Sequence, residues 1–128
     1  MPMLPTTVLI AEDDEDVRDL VALRLGAAGY KTVTVDNGND AISVANFERP
    51  DLVVLDIDMP GLDGLTVCQQ LQGMARTSRI PVLILSARSR DLDASHGRAM
   101  GADDYIAKPF DSGDLVNRVT RLLEDARR

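Results

Sequence analysis

The sequence contains no tryptophan, one cysteine and only four aromatic residues among its 128 positions. The single cysteine, Cys68, excludes an internal disulfide and favours a cytoplasmic protein. The scarcity of aromatic side chains means that the core must be aliphatic. No apolar stretch approaches the length of a membrane-spanning helix, and the leader at residues 1–6 is too short and uncharged for a signal peptide. We therefore expect a cytoplasmic chain that does not enter a membrane.

Positive charge is also in short supply. The chain has 14 lysines and arginines against 21 aspartates and glutamates, so its net charge is −7. Because nucleic acids and anionic membranes would repel such a chain, we expect it to bind neither directly. A length of 128 residues fits one domain with a sizeable core.

The most informative stretch is a run of four apolar residues, 52–55, that ends directly at Asp56. Pro50 precedes the run and Pro60-Gly61 follows it, so the pattern predicts a short strand buried on both faces. Asp56 would then stand at the carboxyl end of the strand, where open parallel sheets bind their ligands. The alternative is that Asp56 only caps a turn, as aspartates after strands often do.

Strand patterns and helix patterns alternate along the chain. Apolar or β-branched runs predict strands at 8–11, 32–35, 52–55, 80–85 and 105–107. A helix is predicted after each strand, and the fourth helix, from about 89 to 100, should be locally weak because it has few apolar residues. This alternation predicts an α/β fold with a doubly wound, five-stranded parallel sheet covered by helices on both faces. We place the domain at residues 7–125 and a short tail at 126–128.

Three local signals concern the loops that lead into helices. Asn37-Gly38 predicts a turn before the second helix, and Asp63 is placed to cap the third. Asp111, with Asp114 three residues later, resembles a capping box in which Asp replaces Glu.

Polar side chains follow most of the predicted strands at the point where each strand ends. They are Glu12 and Asp13, Asp56, Ser86 and Lys108. Because the carboxyl ends of parallel strands share one edge of the sheet, we expect these side chains to converge. Carboxylate oxygens suit a hard dication such as Mg²⁺, and Lys108 is placed to meet an anionic group. The alternative is a solvated acidic rim in which Lys108 is only a surface counter-charge.

Four motifs, taken together and in order, resemble the CheY-like receiver domain of two-component response regulators. The resemblance runs from residue 8 to about residue 123 and implies the flavodoxin-like (βα)5 fold with strand order 2-1-3-4-5. It also implies a phosphoacceptor domain that catalyses only its own phosphorylation and dephosphorylation. The motifs are Val8 to Asp14 with Arg18, Leu55 to Gly64, Ser86-Ala87 and Gly101 to Phe110.

The resemblance implies how the phosphoryl group is taken up. Asp56 would be the phosphoacceptor, and a sensor histidine kinase or a histidine phosphotransfer protein would be the donor. Lys108 and the hydroxyl of Ser86 would contact the phosphoryl oxygens. Lys108-Pro109 would form a cis peptide bond that aims the lysine side chain.

The resemblance also implies a metal cofactor, Mg²⁺ or Mn²⁺. Its ligands would be Asp13, Asp56 and the backbone carbonyl of Asp58, with Glu12 acting through a water. Glu12 stands where the family often has Asp, a departure that lengthens the reach to that water.

Three further roles follow from the resemblance. Ser86 and Tyr105 would form a switch pair on a face made by the fourth helix, the fifth strand and the last helix. Asp58 and Arg88 would tune the lifetime of the phosphoryl group. That same face carries part of the charge pattern by which some receivers form homodimers, although charges on a last helix are usually its solvated side. The dimer residues would be Asp103, Asp104, Arg118 and Arg121.

Other functions stay open on the sequence alone. Asp56-Ile57-Asp58 matches the paired aspartates of haloacid-dehalogenase-type phosphatases, but that family places its metal carboxylates downstream of the nucleophile. A receiver-like binding module that is never phosphorylated is a second alternative, and the presence of Asp13, Asp56, Ser86 and Lys108 together argues against it. A flavin-binding flavodoxin would need a Ser/Thr-rich loop after the first strand, where this chain has five acids. A stand-alone receiver, a phosphorelay shuttle and a fragment of a longer regulator all fit the sequence.

Overall fold

Five parallel strands form one sheet in the computed structural model, which describes residues 5–87 and 101–126. Their order across the sheet is 2-1-3-4-5, so the predicted fold class and strand order are confirmed. Each strand pairs with its neighbour in parallel register. The strands are β1 (Thr7–Ala11), β2 (Lys31–Val35), β3 (Leu52–Asp56), β4 (Val82–Ser86) and β5 (Asp104–Ala107).

The central strands follow from continuous apolar runs. Every residue of β3 and of β4 is buried, whereas every residue of the edge strand β2 is exposed or half-buried. The fourth strand begins at Val82, two residues later than predicted. Its predicted start, Ile80-Pro81, lies in a turn in which the Ile80 amide bonds the Thr77 carbonyl. Pro81 has no N–H to donate to a ladder, so the strand starts after it.

Helices cover both faces of the sheet, as the doubly wound fold requires. Two aliphatic clusters fill the spaces between layers, with α1 and the C-terminal helix on one face and α2 and α3 on the other. The predicted fourth helix lies outside the described residues. None of the described helices combines the length and apolar composition needed to cross a bilayer. They are α1 (Glu15–Ala27), α2 (Gly38–Glu48), α3 (Gly64–Gly73) and the C-terminal helix (Ser112–Ala126).

Short polar side chains start three of these helices. Asp14 caps α1, and Asp63 caps α3 by accepting from the Thr66 amide at 2.8 Å, as predicted. The turn predicted at Asn37-Gly38 is instead the start of α2. Asn37 caps the helix, and Gly38 is its first residue.

The predicted capping box at the C-terminal helix is wrong in its second half. Asp111 accepts from the Gly113 amide at 3.1 Å, but the Asp114 carboxylate binds the Arg118 guanidinium at 3.0 Å instead of turning back. A shorter Asp reaches the i+4 arginine more readily than the cap residue's amide, which a Glu would have reached.

Gly64 fixes the approach of α3 to the end of β3. A Cβ at this position would lie 2.3 Å from the carbonyl oxygen of Asp56, closer than any side chain tolerates. The Gly64 amide also bonds the Ile57 carbonyl at 2.9 Å. The loop between β3 and α3 is therefore held tightly beside Asp56.

Candidate functional site

The carboxyl edge of the sheet brings together side chains from three separate strands. Asp56 is the last residue of β3, Glu12 follows β1, and Lys108 follows β5. Asp56 lies opposite Leu85 in the ladder with β4, so Ser86 stands one residue further out on the neighbouring strand. Residues that are up to 96 positions apart in sequence thus meet at one end of the sheet.

Three carboxylates form a cluster at this edge. One oxygen from each of Glu12, Asp13 and Asp56 lies within 4.8 Å of the others. Glu12 is 0% exposed and Asp56 is 2% exposed, whereas Asp13 faces solvent. An all-oxygen donor set with one solvent-facing member suits Mg²⁺ or Mn²⁺, which keep several waters when bound to proteins. The residues present therefore fit a hard dication.

The Lys108 side chain extends from the end of β5 to the acids at the ends of β1 and β3. Its ammonium contacts the Glu12 carboxylate and lies 3.4 Å from Oδ1 of Asp56. Burial alone would lower the pKa of Lys108, but the hydrogen bond to Glu12 and the charge of Asp56 outweigh it and raise the pKa. Lys108 therefore stays protonated, and its ammonium lies between two buried carboxyl groups.

One ammonium does not balance two buried carboxylates. The pKa of Glu12 is raised from 4.5 to about 7, chiefly by burial and then by the hydrogen bond with Asp56, against the opposing effect of Lys108. The contact with Lys108 and the raised pKa are compatible, because Lys108 compensates one negative charge and a proton compensates the other. The cluster lacks positive charge, which a dication would supply.

Backbone hydrogen bonds hold the strand ends in place. The Asp58 amide donates to Oδ1 of Asp56 at 3.2 Å, and the Lys108 amide donates to the Ser86 carbonyl at 2.6 Å. Arg18 on α1 donates from Nη1 to the Glu12 carbonyl at 3.1 Å. The Lys108-Pro109 peptide bond is cis, which confirms the prediction. The backbone thus positions the Asp56 carboxylate before any ligand arrives.

The other predicted site residues are spread around this edge. Ser86 is fully buried at the end of β4, and Asp58 is exposed two residues beyond Asp56. Tyr105 is half-buried on β5 and packs against the cluster under α2 and α3. Arg88 lies outside the described residues.

Three of the four residues assigned to a dimer face make contacts within the chain. The Asp103 carboxylate accepts from the Val82 amide at 2.8 Å. Arg118 binds Asp104 and Asp114, each at 3.0 Å. Burial lowers the pKa of Arg118, but the two carboxylates more than offset this and raise it. Arg121 is exposed on the same helix.

Sequence reasoning missed two features beside the site. An apolar groove of about 370 Å³ adjoins Lys108, between the start of α1 and the loop after β5. Leu20 on α1 lines this groove and is 38% exposed. The close approach of Gly64 to Asp56 was also missed, and a single glycine after a cap residue carries no signal for it.

The comparisons with known proteins agree with this geometry. A family model described as the response regulator receiver domain matches residues 8–120. The transcriptional regulatory protein AfsQ1 of Streptomyces coelicolor is 36% identical over 122 residues, which are 95% of this chain and 53% of that protein. The DNA-binding dual master transcriptional regulator RpaA of Synechocystis is 42% identical over 116 residues, 91% of this chain and 48% of that protein.

Solved structures give the same answer. The receiver domain of the Francisella response regulator 1452 superposes with a TM-score of 0.88 at 31% identity, covering 94% of this chain and 98% of that one. This chain spans about half the length of the curated relatives named above. None of these matches supports a phosphatase of the haloacid-dehalogenase type or a receiver-like module without phosphorylation.

Proposed function

The chain belongs to the response regulator receiver domain family, and from that premise we propose that Asp56 is its phosphoacceptor. Receiver domains take a phosphoryl group from a histidine kinase or a histidine phosphotransfer protein. One observation carries the assignment to Asp56: it is the buried carboxylate that ends the central strand β3, with one oxygen in the acid cluster and its Oδ1 3.4 Å from the Lys108 ammonium. We take residues 7–125 as the receiver unit.

The proposed reaction is a phosphoryl transfer from histidine to aspartate. An oxygen of Asp56 attacks phosphorus in line while the bond from phosphorus to the imidazole nitrogen breaks. The product is an acyl phosphate, and the imidazole leaves with the electron pair of the broken bond. Such a transfer needs little covalent help from the protein, because positioning and charge neutralisation lower its barrier. The amide of Asp58, which already bonds Asp56, supports a preset orientation of the attacking carboxylate.

Two side chains are proposed to contact the transferred group. The Lys108 ammonium, held between Glu12 and Asp56, would move onto a phosphoryl oxygen and offset its charge. The Ser86 hydroxyl would donate to another oxygen from the end of the adjacent strand.

The cofactor is proposed to be Mg²⁺, or Mn²⁺ in its place. Asp13, Asp56 and the backbone carbonyl of Asp58 would hold it, with Glu12 acting through a water. When bound, the ion supplies positive charge to the phosphoryl oxygens. The solvent exposure of Asp13 supports this assignment, because a dication that keeps its waters needs an open side.

The domain is proposed to act only on itself. Water can hydrolyse the acyl phosphate, so the chain sets the lifetime of its own signal, and Asp58 and Arg88 are the residues proposed to tune that lifetime. Ser86 and Tyr105 would report the phosphorylated state to the face formed by the predicted fourth helix, β5 and the C-terminal helix. A homodimer through that face would use Asp103, Asp104, Arg118 and Arg121, and Arg118 would have to exchange its internal partners for external ones.

The phosphodonor protein is proposed to dock in the apolar groove beside Lys108. Val17, Leu20 and Phe110 line this groove, and Lys108 lines both the groove and the acid cluster. A helix that carries a phosphohistidine could bury apolar side chains there and present its phosphoryl group to Asp56.

The main test is phosphorylation by a small donor. The chain is incubated with Mg²⁺ and phosphoramidate or acetyl phosphate, and intact mass spectrometry counts the phosphoryl groups. We expect one group on the wild-type chain and none on Asp56→Asn, while Asp63→Asn, on the same loop, should be modified normally. Phosphorylation of Asp56→Asn at the wild-type rate would overturn the assignment.

A second test separates docking from chemistry. Leu20→Asp places a charge in the groove and should slow transfer from a phosphohistidine protein while leaving transfer from phosphoramidate unchanged. Leu23→Asp is the matched control, because Leu23 is 66% exposed on the same helix and does not line the groove. Equal effects of the two variants would contradict the docking site.

A further inference from the structure

The opposite edge of the sheet carries an open cavity that the proposed phosphorylation does not use. It lies at the amino ends of β3 and β4, between the segments that lead into these strands and the end of the C-terminal helix, and its volume is about 250 Å³. Three arginines line it, Arg49, Arg76 and Arg79, over an apolar floor that includes Ile80 and Leu123. This is an unusual concentration of positive charge for a chain whose net charge is −7.

The guanidinium groups of these three arginines make few contacts with the described residues. Among the described residues, neither Arg49 nor Arg79 forms a side-chain hydrogen bond or an ion pair. Arg76 donates from Nε to the Asn46 carbonyl at 3.0 Å, which anchors the guanidinium at the cavity wall. Among the described residues that line the cavity, Asp51 is the one acid, and its carboxylate accepts from the Thr7 amide at 2.8 Å.

Arg49 occupies a backbone position that favours another residue. It follows the last turn of α2 with φ of 50°, and within residues 5–87 and 101–126 no other non-glycine residue has a positive φ. Glycine or asparagine is the usual choice at such a helix end, because a Cβ is disfavoured there. An arginine at this position is better explained by its side chain at the cavity than by its backbone.

We propose that this cavity binds a small anion of the phosphate class. Guanidinium groups bind phosphate oxygens through paired, charge-assisted hydrogen bonds, and three of them around one cavity suit a ligand with more than one negative charge. The volume is below the range of roughly 300–1,000 Å³ that is typical of drug-sized ligands. A ligand of the size of pyrophosphate or a small phosphomonoester therefore fits better than a dinucleotide. The site is independent of the Asp56 reaction and lies at the other end of the strand that carries it.

The test is isothermal titration calorimetry of the metal-free chain with pyrophosphate in EDTA at low ionic strength. Without a dication the acidic edge repels anions, so binding reports on the arginine cavity. We expect one pyrophosphate per chain, with affinity that falls as NaCl is added. Arg76→Ala/Arg79→Ala should bind at least about tenfold more weakly, because two charge-assisted contacts are lost. Citrate should bind at least about tenfold more weakly than pyrophosphate.

Two controls keep this test decisive. Arg24→Ala/Lys31→Ala removes the same charge from exposed positions elsewhere and should leave the affinity within about twofold. Arg76→Lys/Arg79→Lys keeps the charge and should recover part of the affinity, which guards against a folding defect in the alanine variant. No detectable binding, equal loss in the Arg24/Lys31 control, an unchanged affinity in the Arg76/Arg79 variant, or equal binding of citrate would overturn the proposal.

Discussion

The two edges of the sheet carry opposite charge and treat it differently. At the carboxyl edge, Glu12 and Asp56 are buried and bound by Lys108 and by backbone amides. At the amino edge, Arg49, Arg76 and Arg79 are all exposed. Of these three arginines, only Arg76 forms a side-chain hydrogen bond with a described residue. The chain thus holds negative charge inside one end of the sheet and positive charge on the surface of the other.

This difference separates chemistry from recognition. Buried charges lose their hydration, so each depends on its partner and its geometry is fixed. Exposed charges remain solvated and contribute little to stability, so they are available for a ligand without a large folding penalty. Changes at the carboxyl edge should therefore alter reactivity and stability together, whereas changes at the amino edge should alter binding with little effect on folding.

The largest effect is expected from removing the cation of the carboxyl edge. Lys108→Met should slow phosphorylation by phosphoramidate by about 100-fold or more, because loss of one preorganised charge donor typically costs that much. Stopped-flow or mass-spectrometric time courses measure the rate. Lys31→Met, on the exposed edge strand, is the control and should react normally. A Lys108→Met rate within about threefold of wild type would show that the two edges do not differ in this way.

A smaller effect is expected from pH in the metal-free chain. The pKa of Glu12 is about 7 in the folded chain and 4.5 as an ordinary glutamate, so the folded state binds more protons between these values. Its stability must therefore fall as pH rises from about 4.5 to about 7. A shift of this size corresponds to roughly 3 kcal/mol at most.

The measurement is urea unfolding in EDTA at pH 5 and at pH 8, compared with Glu12→Gln. Other carboxylates also titrate, but they are common to both chains, so the difference between the two pH dependences isolates Glu12. The wild-type chain should lose more stability than the variant by up to about 3 kcal/mol, and Mg²⁺ should restore part of it at pH 8. If the stability of the two chains depended on pH in the same way, the cluster would not raise the pKa of Glu12 in the folded chain.

The next prediction compares alanine substitutions at the two ends of α3. Gly64→Ala should destabilise the chain by about 2 kcal/mol, because the new Cβ would overlap the Asp56 carbonyl and force the loop to shift. Gly73→Ala, at the other end of the same helix, meets nothing within 4 Å and should change stability by less than about 1 kcal/mol. Thermal unfolding of both variants measures the contrast. Equal stability of the two would show that the loop beside Asp56 can relax freely.

Much of the carboxyl edge could be predicted from the sequence. Short apolar runs that end in acids give both the strands and the identity of their last residues, and parallel packing then brings those residues to one edge. The contact between Lys108 and Glu12 could not be predicted, because it depends on how far a flexible side chain reaches across neighbouring strands. Its consequence, the raised pKa of Glu12, depends on burial that composition does not report.

The arginine cavity at the amino edge could not be predicted from the sequence, for a different reason. Its arginines come from a helix end and from the segment between α3 and β4, and such residues carry no periodic pattern. Arg49 looks like an ordinary surface residue before Pro50, and only the backbone angle reveals that it stands at a position suited to glycine. Convergence of loop residues depends on the three-dimensional path of each loop, which local propensities do not determine.

The smallest expected effect is the one that most sharply separates the two edges. Arg49→Gly replaces the residue with the positive φ by the residue that adopts it most easily, so the chain should become more stable by less than about 1 kcal/mol, part of the gain being lost to the flexibility of glycine in the unfolded chain. The melting temperature should rise by about 2 °C. Pyrophosphate affinity should fall at the same time, because a cavity guanidinium is removed. A stability gain and a binding loss in one variant are expected only if the arginine serves the cavity and not the fold. A loss of stability with unchanged binding would show that Arg49 packs for the fold and that the amino edge is an ordinary charged surface.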